Sequence, residues 1–349
     1  MEEHQKYIKR CIQLAANGLG TTNPNPLVGS VIVSEGKIIG EGWHLKPGEP
    51  HAEVHAINSV RDKSKLSKAT LYVNLEPCSH FGRTPPCCDL IIRSGIKNVI
   101  VGTVDPNELV AGNGIRKLRE AGISVTSDIC EEECLDLNRR FFTFHTKKRP
   151  YIILKWAQSQ NGLIAPSEKL ENKPIWISNQ FSRQLVHKWR SEEHAILIGT
   201  QTAIDDNPAL TVRDWAGNNP IRIVLDRNNR IPKENHIFDS QAQTIAVKEI
   251  RSDSEIGIET IDFSTKIAIQ IAQVLHKRGV VSVIIEGGRK TLQTFIDENL
   301  WDEARVFESE VFISDGIKAP LLPTGASRIN NIAGDKLLMF RNNGQHNNI

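Results

Sequence analysis

Residues 70–87 read TLYVNLEPCSHFGRTPPC, and the fold turns on how this stretch is parsed. TLYVN (70–74) is a short, β-branched and aromatic apolar run, which marks a buried strand. Leu75-Glu76-Pro77-Cys78 turns away from it, and a loop closed by Cys87 delivers the chain to a helix over roughly 86–93. Upstream, VGSVIVS (28–34), EGK and IIGEGW (38–43) form a β-hairpin pattern, and a short helix covers 51–60. Downstream come a strand at 98–104, a helix at 112–121 and a strand near 123–126. A hairpin followed by strand–helix alternation predicts a three-layer α/β/α domain.

The segment HTKKRP (145–150) is basic, poor in apolar residues and ends in proline, so it reads as a boundary. It separates a domain at 1–147 from one at 148–340. The second begins with the strand YIILKW (151–156). Helices over 179–190, 265–278 and 289–299 alternate with strands at 195–199, 221–226, 243–247 and 281–286, giving a second α/β domain of similar size. The Asn-rich tail, 341–349, reads as disordered.

Composition narrows the function. The chain has 349 residues, 39% apolar and 24% charged, with a net charge of +2. That balance argues against a protein built to wrap nucleic acid or lie on an anionic membrane. The N-terminus, MEEHQKYIKRCIQLAANG, is charged and lacks the apolar core of a signal peptide. Tyr7, Ile8, Cys11, Ile12 and Ala15 instead fall at helical spacing. With no stretch of transmembrane length, a cytoplasmic protein is expected. In a reducing compartment its six cysteines point to metal or catalysis before disulfides. Cys11 lies on an apolar helix face, Cys88 trails a better candidate, and Cys130 and Cys134 read as half-buried thiols.

The better candidates are His51, Cys78 and Cys87. One imidazole and two thiolates supply three zinc ligands and leave the fourth tetrahedral position to water, as in a catalytic rather than a structural site. Glu53, two residues after His51, is placed to move protons as general acid/base while a ring amine is hydrolysed. Plainer readings compete: a core histidine, inert buried thiols, or a structural zinc closed by His80 or Cys88. The joint occurrence of all four residues, with His51, Glu53 and Cys87 at helix starts, favours catalysis. His-x-Glu followed by Pro-Cys resembles the zinc nucleobase deaminases, although eight residues rather than two separate the cysteines here.

Four stretches sharpen the likeness: NPNPLVGSVIV (23–33), HLKPGEPHAEVHAI (44–57), LEPCSHFGRTPPC (75–87) and DPNELVAGNGI (105–115). Together they resemble the bifunctional deaminase–reductases of riboflavin biosynthesis. The resemblance implies a cytidine-deaminase-like first domain that hydrolyses the 2-amino group of a diaminopyrimidinone carrying a ribosylamino phosphate. It assigns zinc to His51, Cys78 and Cys87, and proton transfer to Glu53. Asn25, His44, Ser79, His80 and Arg83 become pyrimidine and phosphate contacts; lysine is frequent in the family where Arg83 stands.

In the second half no G-x-G-x-x-G is present. Glu286-Gly287-Gly288, between a strand and a helix, would let a phosphate approach the helix N-terminus. KWAQSQNGLIA (155–165), WIS (176–178) and RSEEHAILIGTQTAIDDNPALTVR (190–213) resemble the family's dihydrofolate-reductase-like reductase. That implies NADPH at Ala157, Trp176, Thr202, Asp206, Gly287 and Gly288. The ribosyl phosphate falls to Arg190, Leu210, Arg213 and Glu286, with Lys155 near the reacting ribose. Homo-oligomers are also implied. Two departures stand out: the family's Ser-Leu-Asp-Gly is Ser159-Gln160-Asn161-Gly162, and Glu308 and Glu310 replace apolar or small residues within 306–320.

The leading reading is therefore a bifunctional enzyme acting on a small pyrimidine ribosyl phosphate. The alternative is a deaminase whose second domain binds nucleotide without reducing. A nucleic-acid-editing deaminase would need a basic, aromatic-lined stripe, which the sequence lacks. A binding scaffold would need a fully protein-ligated zinc.

Overall fold

The computed structural model describes residues 2–82, 85–107, 110–167, 176–249 and 257–342. The chain divides into two compact units between Thr146 and Lys147.

The first unit is a five-stranded sheet, β1 (Gly29–Ser34), β2 (Lys37–Trp43), β3 (Thr70–Val73), β4 (Asn98–Val101) and β5 (Ser124–Thr126), in the order β2-β1-β3-β4-β5. The hairpin is antiparallel, β1 runs antiparallel to β3, and β3, β4 and β5 are parallel. Alternation along the strands builds the layers. Ile32, Leu71, Val73, Val99 and Val101 face α2 (Ala52–Ser59), α3 (Cys87–Arg93) and α4 (Asn113–Glu120). Val31, Val33, Tyr72 and Ile100 face the other way, onto α1 (Glu2–Ala15) and Cys134 of α5 (Glu131–Leu137). The three-layer expectation thus holds. A sixth helix, α6 (Arg139–Thr146), closes the unit. Cys134 is fully buried rather than half-buried, because the strand opposite it gives way to Gly102, where a Cβ would lie 2.4 Å from the Cys134 sulfur.

The second unit is a nine-stranded sheet ordered β11-β10-β9-β8-β12-β6-β13-β16-β15. Its strands are β6 (Tyr151–Gln158), β8 (Ala195–Ile198), β9 (Ile221–Leu225), β10 (Thr244–Lys248), β11 (Ile258–Thr260), β12 (Ser282–Ile285), β13 (Glu303–Glu308), β15 (Arg328–Ile332) and β16 (Asp335–Arg341). All neighbouring pairs are parallel except β13–β16 and β16–β15, so β16 alone runs against the rest. The parallel strands are apolar on both faces, as two covering layers demand. α9 (Ile267–Lys277) and α10 (Arg289–Asp297) cover one face; α7 (Gln180–Glu192) and α8 (Thr200–Asp206) cover the other. A small antiparallel pair, β7 (Leu163–Pro166) with β14 (Gly316–Lys318), stands apart.

Several sequence expectations need correction. The tail does not loosen at Arg341: that residue ends β16, and Asn342 is buried, its side chain donating to the Trp301 carbonyl at 3.0 Å. Residues 343–349 lie outside the described residues. Arg149, in the basic boundary segment, is wholly buried and makes a bidentate pair with Asp302 at 2.6 and 2.8 Å. Neither departure in 159–162 or 306–320 disrupts the backbone. Asn161 accepts from the Ser159 hydroxyl at 2.8 Å and donates to the Ile313 carbonyl at 2.7 Å, so the turn is held without a carboxylate. Glu308 ends β13 and pairs across the sheet with Lys336 at 3.0 Å.

Candidate active sites

In the first unit three chain turns meet. His51 is the N-cap residue of α2 and does not cap it with its side chain. Cys78 follows β3, and Cys87 opens α3. The His51 Nδ1 lies 3.6 Å from the Cys78 sulfur and 3.3 Å from the Cys87 sulfur, and all three ligand atoms fall within 4.8 Å of one another. A tetrahedral zinc with bonds of about 2.1 Å to nitrogen and 2.3 Å to sulfur separates such atoms by roughly 3.6–3.8 Å, so the triangle fits that ion. Among the described residues no fourth ligand joins it. Cys88, one alternative, turns its thiol to the carbonyls of Pro77 at 3.4 Å and Gly114 at 3.6 Å; His80, the other, is exposed. The Cys87 thiol, its backbone N–H and the His51 imidazole all support negative charge on Cys78, holding it down to about 4. Cys87 is pushed up in turn, by its hydrogen bond to Cys78 and by burial. Glu53, on the first turn of α2, is 3% exposed; burial pushes its carboxyl up, and the Cys78 charge adds to that.

The pocket wall comes from the turn before β1. Asn25 donates its amide to His44 Nε2 at 3.0 Å, while His44 Nδ1 lies 3.3 Å from the Pro50 carbonyl. That arrangement places the ring proton on Nδ1. Burial lowers the His44 pKa and so favours the neutral ring, which sits edge-on to His51 at 5.2 Å. Ser79 is half-buried on the metal loop, and Arg83 lies outside the described residues. Sequence reading missed the anchors of this wall. Buried Asn74 accepts from Gly29 N at 2.7 Å and donates to the Leu27 carbonyl at 3.0 Å; buried Asn138 bonds the same Leu27 at both N and O. Gly42 is equally hidden as a determinant: a Cβ there would lie 2.4 Å from His55 Cβ and 2.6 Å from Ala56 N, so only glycine lets α2 sit this close to β2.

The second unit holds a cavity of 1410 Å³ at the C-terminal ends of its parallel strands, where open α/β sheets bind ligands. Lys155, Ala157, Trp176, Arg190, Thr202, Asp206, Leu210, Arg213, Glu286, Gly287 and Gly288 all line it. Glu286, just past β12, accepts from Arg190 Nη2 at 2.7 Å and lies 3.6 Å from Lys155 Nζ. Burial alone raises its carboxyl, but Arg190 and then Lys155 outweigh burial and hold it down to about 2. Burial lowers the Lys155 pKa, and Glu286 opposes that. Glu286 Oε1 and Arg190 Nε are buried without a hydrogen bond, although Oε1 keeps its 3.6 Å ion pair with Lys155. Gly288 N donates to the Thr202 hydroxyl at 3.0 Å, and a Cβ on Gly287 would lie 3.2 Å from Gly199 N, so the ends of β8 and β12 close tightly there. Leu210 takes a left-handed backbone (φ 54) at the cavity wall, and His187, unnoticed in the sequence, accepts from Arg213 N at 3.2 Å. Among the described residues no helix is long and apolar enough to cross a membrane.

Comparison with known proteins agrees with this division. A family model for the cytidine and deoxycytidylate deaminase zinc-binding region matches residues 1–103, and one for the RibD C-terminal domain matches residues 150–317. The chain is 39% identical over 356 residues to the riboflavin biosynthesis protein RibD of Aquifex aeolicus, covering 97% of this chain and 99% of that one. A crystal structure from Thermotoga maritima, of a diaminohydroxyphosphoribosylaminopyrimidine deaminase/5-amino-6-(5-phosphoribosylamino)uracil reductase, is 38% identical with a TM-score of 0.87, covering 97% and 99%. Acinetobacter baumannii RibD is 31% identical, with a TM-score of 0.88 over the same shares.

Proposed function

The chain belongs to the RibD family of bifunctional deaminase–reductases of riboflavin biosynthesis, and on that premise we propose how its residues divide the two reactions. The observation that carries the proposal is the His51–Cys78–Cys87 triangle with buried Glu53 beside it.

In the first site His51, Cys78 and Cys87 hold zinc, which when bound supplies the Lewis acidity that brings a water's pKa towards 7. Glu53 takes a proton from the attacking water, delivers it to the pyrimidine ring nitrogen, and gives a second to the departing ammonia. One water is consumed, and a ring C–N bond is exchanged for C–O. Asn25 and His44, fixed to each other, orient the ring; Ser79, His80 and Arg83 meet its polar edge and the phosphate.

In the second site NADPH, when bound, supplies hydride. Ala157, Trp176, Thr202, Asp206, Gly287 and Gly288 hold it, Gly287 and Gly288 admitting its phosphates to the start of α10. Arg190, Leu210, Arg213 and Glu286 hold the ribosyl phosphate, and Lys155 sits at the reacting ribose. The reading also places the chain in the cytoplasm as a homo-oligomer. Its six free cysteines support a reducing compartment, and light scattering on the purified protein measures the assembly.

A mass-spectrometric time course on the diaminopyrimidinone ribosyl phosphate, with and without NADPH, tests both halves. The expected result is an amine replaced by oxygen in both runs, and two hydrogens gained only with NADPH. No change in either run would overturn the reading. Within the second site, Glu286→Gln is expected to lower kcat/KM for reduction by about 10²-fold, the scale of a buried charge left without its partner. Deamination by the same variant should be unchanged. Because the folded Glu286 pKa lies below its ordinary 4.5, its pairing stabilises the fold above that pH. The contribution fades as pH falls from 4.5 towards about 2.

A further inference from the structure

Two residues before the first cysteine ligand lies a carboxylate that the reaction does not use. Glu76 is 4% exposed, and no basic side chain pairs with it among the described residues. Its Oε1 accepts from Gly114 N at 2.8 Å and Ile115 N at 3.1 Å; its Oε2 accepts from Gly112 N at 2.9 Å and Asp105 N at 3.2 Å. The first three donors form the N-terminus of α4, where backbone N–H groups lack helical partners and favour an anion. The fourth opens the loop that leads to α4.

This clamp has no slack. A Cβ on Gly114 would lie 2.0 Å from the Pro77 carbonyl, so α4 is seated directly against the turn that carries Cys78. The same seam is tied by the Cys88 thiol, which reaches both the Pro77 and Gly114 carbonyls. On its other side Cys78 is held by α3: its carbonyl accepts from Cys88 N at 3.1 Å, and its sulfur from Cys87 N at 3.3 Å. The Cys78 backbone is therefore trapped between two helix starts, and the distance between them is set by Glu76.

We propose that Glu76 is the positioning residue of the deaminase metal site, drawing the start of α4 onto the Leu75–Pro77 turn so that Cys78 stands where zinc needs its third ligand. The proposal rests on the zinc reading of His51, Cys78 and Cys87. A ligand displaced by about 1 Å binds poorly, and groups that orient metal ligands are commonly worth 10- to 100-fold in affinity.

The test compares the wild-type full-length chain with Glu76→Gln and Glu76→Asp. Zinc Kd is measured by chelator competition well below each protein's melting temperature. Glutamine keeps the shape but turns an NH2 towards N–H donors; aspartate keeps the charge but is one methylene short. The expected result is one zinc per wild-type chain, Kd at least 10-fold weaker in Glu76→Gln, and partial rescue in Glu76→Asp. Reduction of the deaminated pyrimidine, supplied directly, should be unaffected, which shows that the second unit is folded, and a cooperative melting transition of the first unit shows the same for the unit that carries Glu76. Folded variants with zinc Kd within twofold of wild type would overturn the proposal, whatever their loss in melting temperature. Collapse of both variants would make Glu76 a folding residue only and also overturn it. A wild type that binds no zinc would instead remove the reading of the site, and the proposal with it.

Discussion

Glu53→Gln is expected to cut the deamination kcat by about 10²- to 10⁴-fold, the range supplied by one positioned general acid/base, while zinc content stays at that of the wild type. The residue sits two positions after the His51 ligand and is 3% exposed on the first turn of α2. In the proposed reaction both protons pass through Glu53, and a glutamine amide of the same shape can carry neither. Because the substitution preserves volume, it leaves the packing of α2 on Gly40 and Gly42 intact. Measured by mass spectrometry, the product with oxygen in place of the amine should all but vanish. Reduction of deaminated pyrimidine by the same protein should continue. A deamination rate within tenfold of wild type would transfer the proton work to another residue.

How legible these sites were depended on which partners a residue uses. The His51–Cys78–Cys87 triangle was readable because few side-chain types suit zinc, and the placement of His51 and Cys87 at helix starts follows from turn and cap signals. The layers of the first unit were readable from alternation in VGSVIVS and TLYVN. Glu76, Asn74 and Asn138 were not, since each bonds backbone N–H and carbonyl groups, which every residue offers and no sequence displays. The strands RINNI (328–332) and DKLLMFR (335–341) escaped for another reason: β15 is a polar edge strand with mostly exposed side chains, so no apolar period marks it. α8 was hidden because seven residues beginning Thr-Gln-Thr are too few for a helical period to repeat. Arg149 read only as part of a basic boundary segment because its partner, Asp302, lies 153 residues away.

Arg222 belongs to the same unreadable class, and its loss should have the largest effect on stability in the second unit. In IRIVLD it looks like an ordinary outward-facing strand residue. In the structure it is 0% exposed on β9 and donates to the carbonyls of Ala209 at 3.3 Å, His236 at 2.9 Å, Asp239 at 2.5 Å and Ala242 at 2.6 Å. It also reaches the Thr244 hydroxyl at 3.0 Å and the Asp239 carboxylate at 2.8 Å. One guanidinium thus ties together a 236–242 loop whose own secondary structure is a single 3-10 turn, His236–Phe238. Arg222→Met keeps the stem and removes every donor, leaving several backbone acceptors with no partner at about 1–3 kcal/mol each before relaxation. A net loss of about 3–5 kcal/mol follows. For a unit of this size that lowers its melting temperature by roughly 6–20 °C, at about 2–4 °C per kcal/mol, which calorimetry would register. The loss reaches the active cavity as well, because the Ala209 carbonyl immediately precedes Leu210, whose left-handed backbone shapes the wall. A strained residue persists only while its surroundings over-determine it. In Arg222→Met the 207–210 segment should therefore relax, and KM for the ribosyl phosphate should rise at temperatures where the variant is still folded. A melting temperature within 2 °C of wild type would mean that water replaces the guanidinium, and that the loop is held by its own turns.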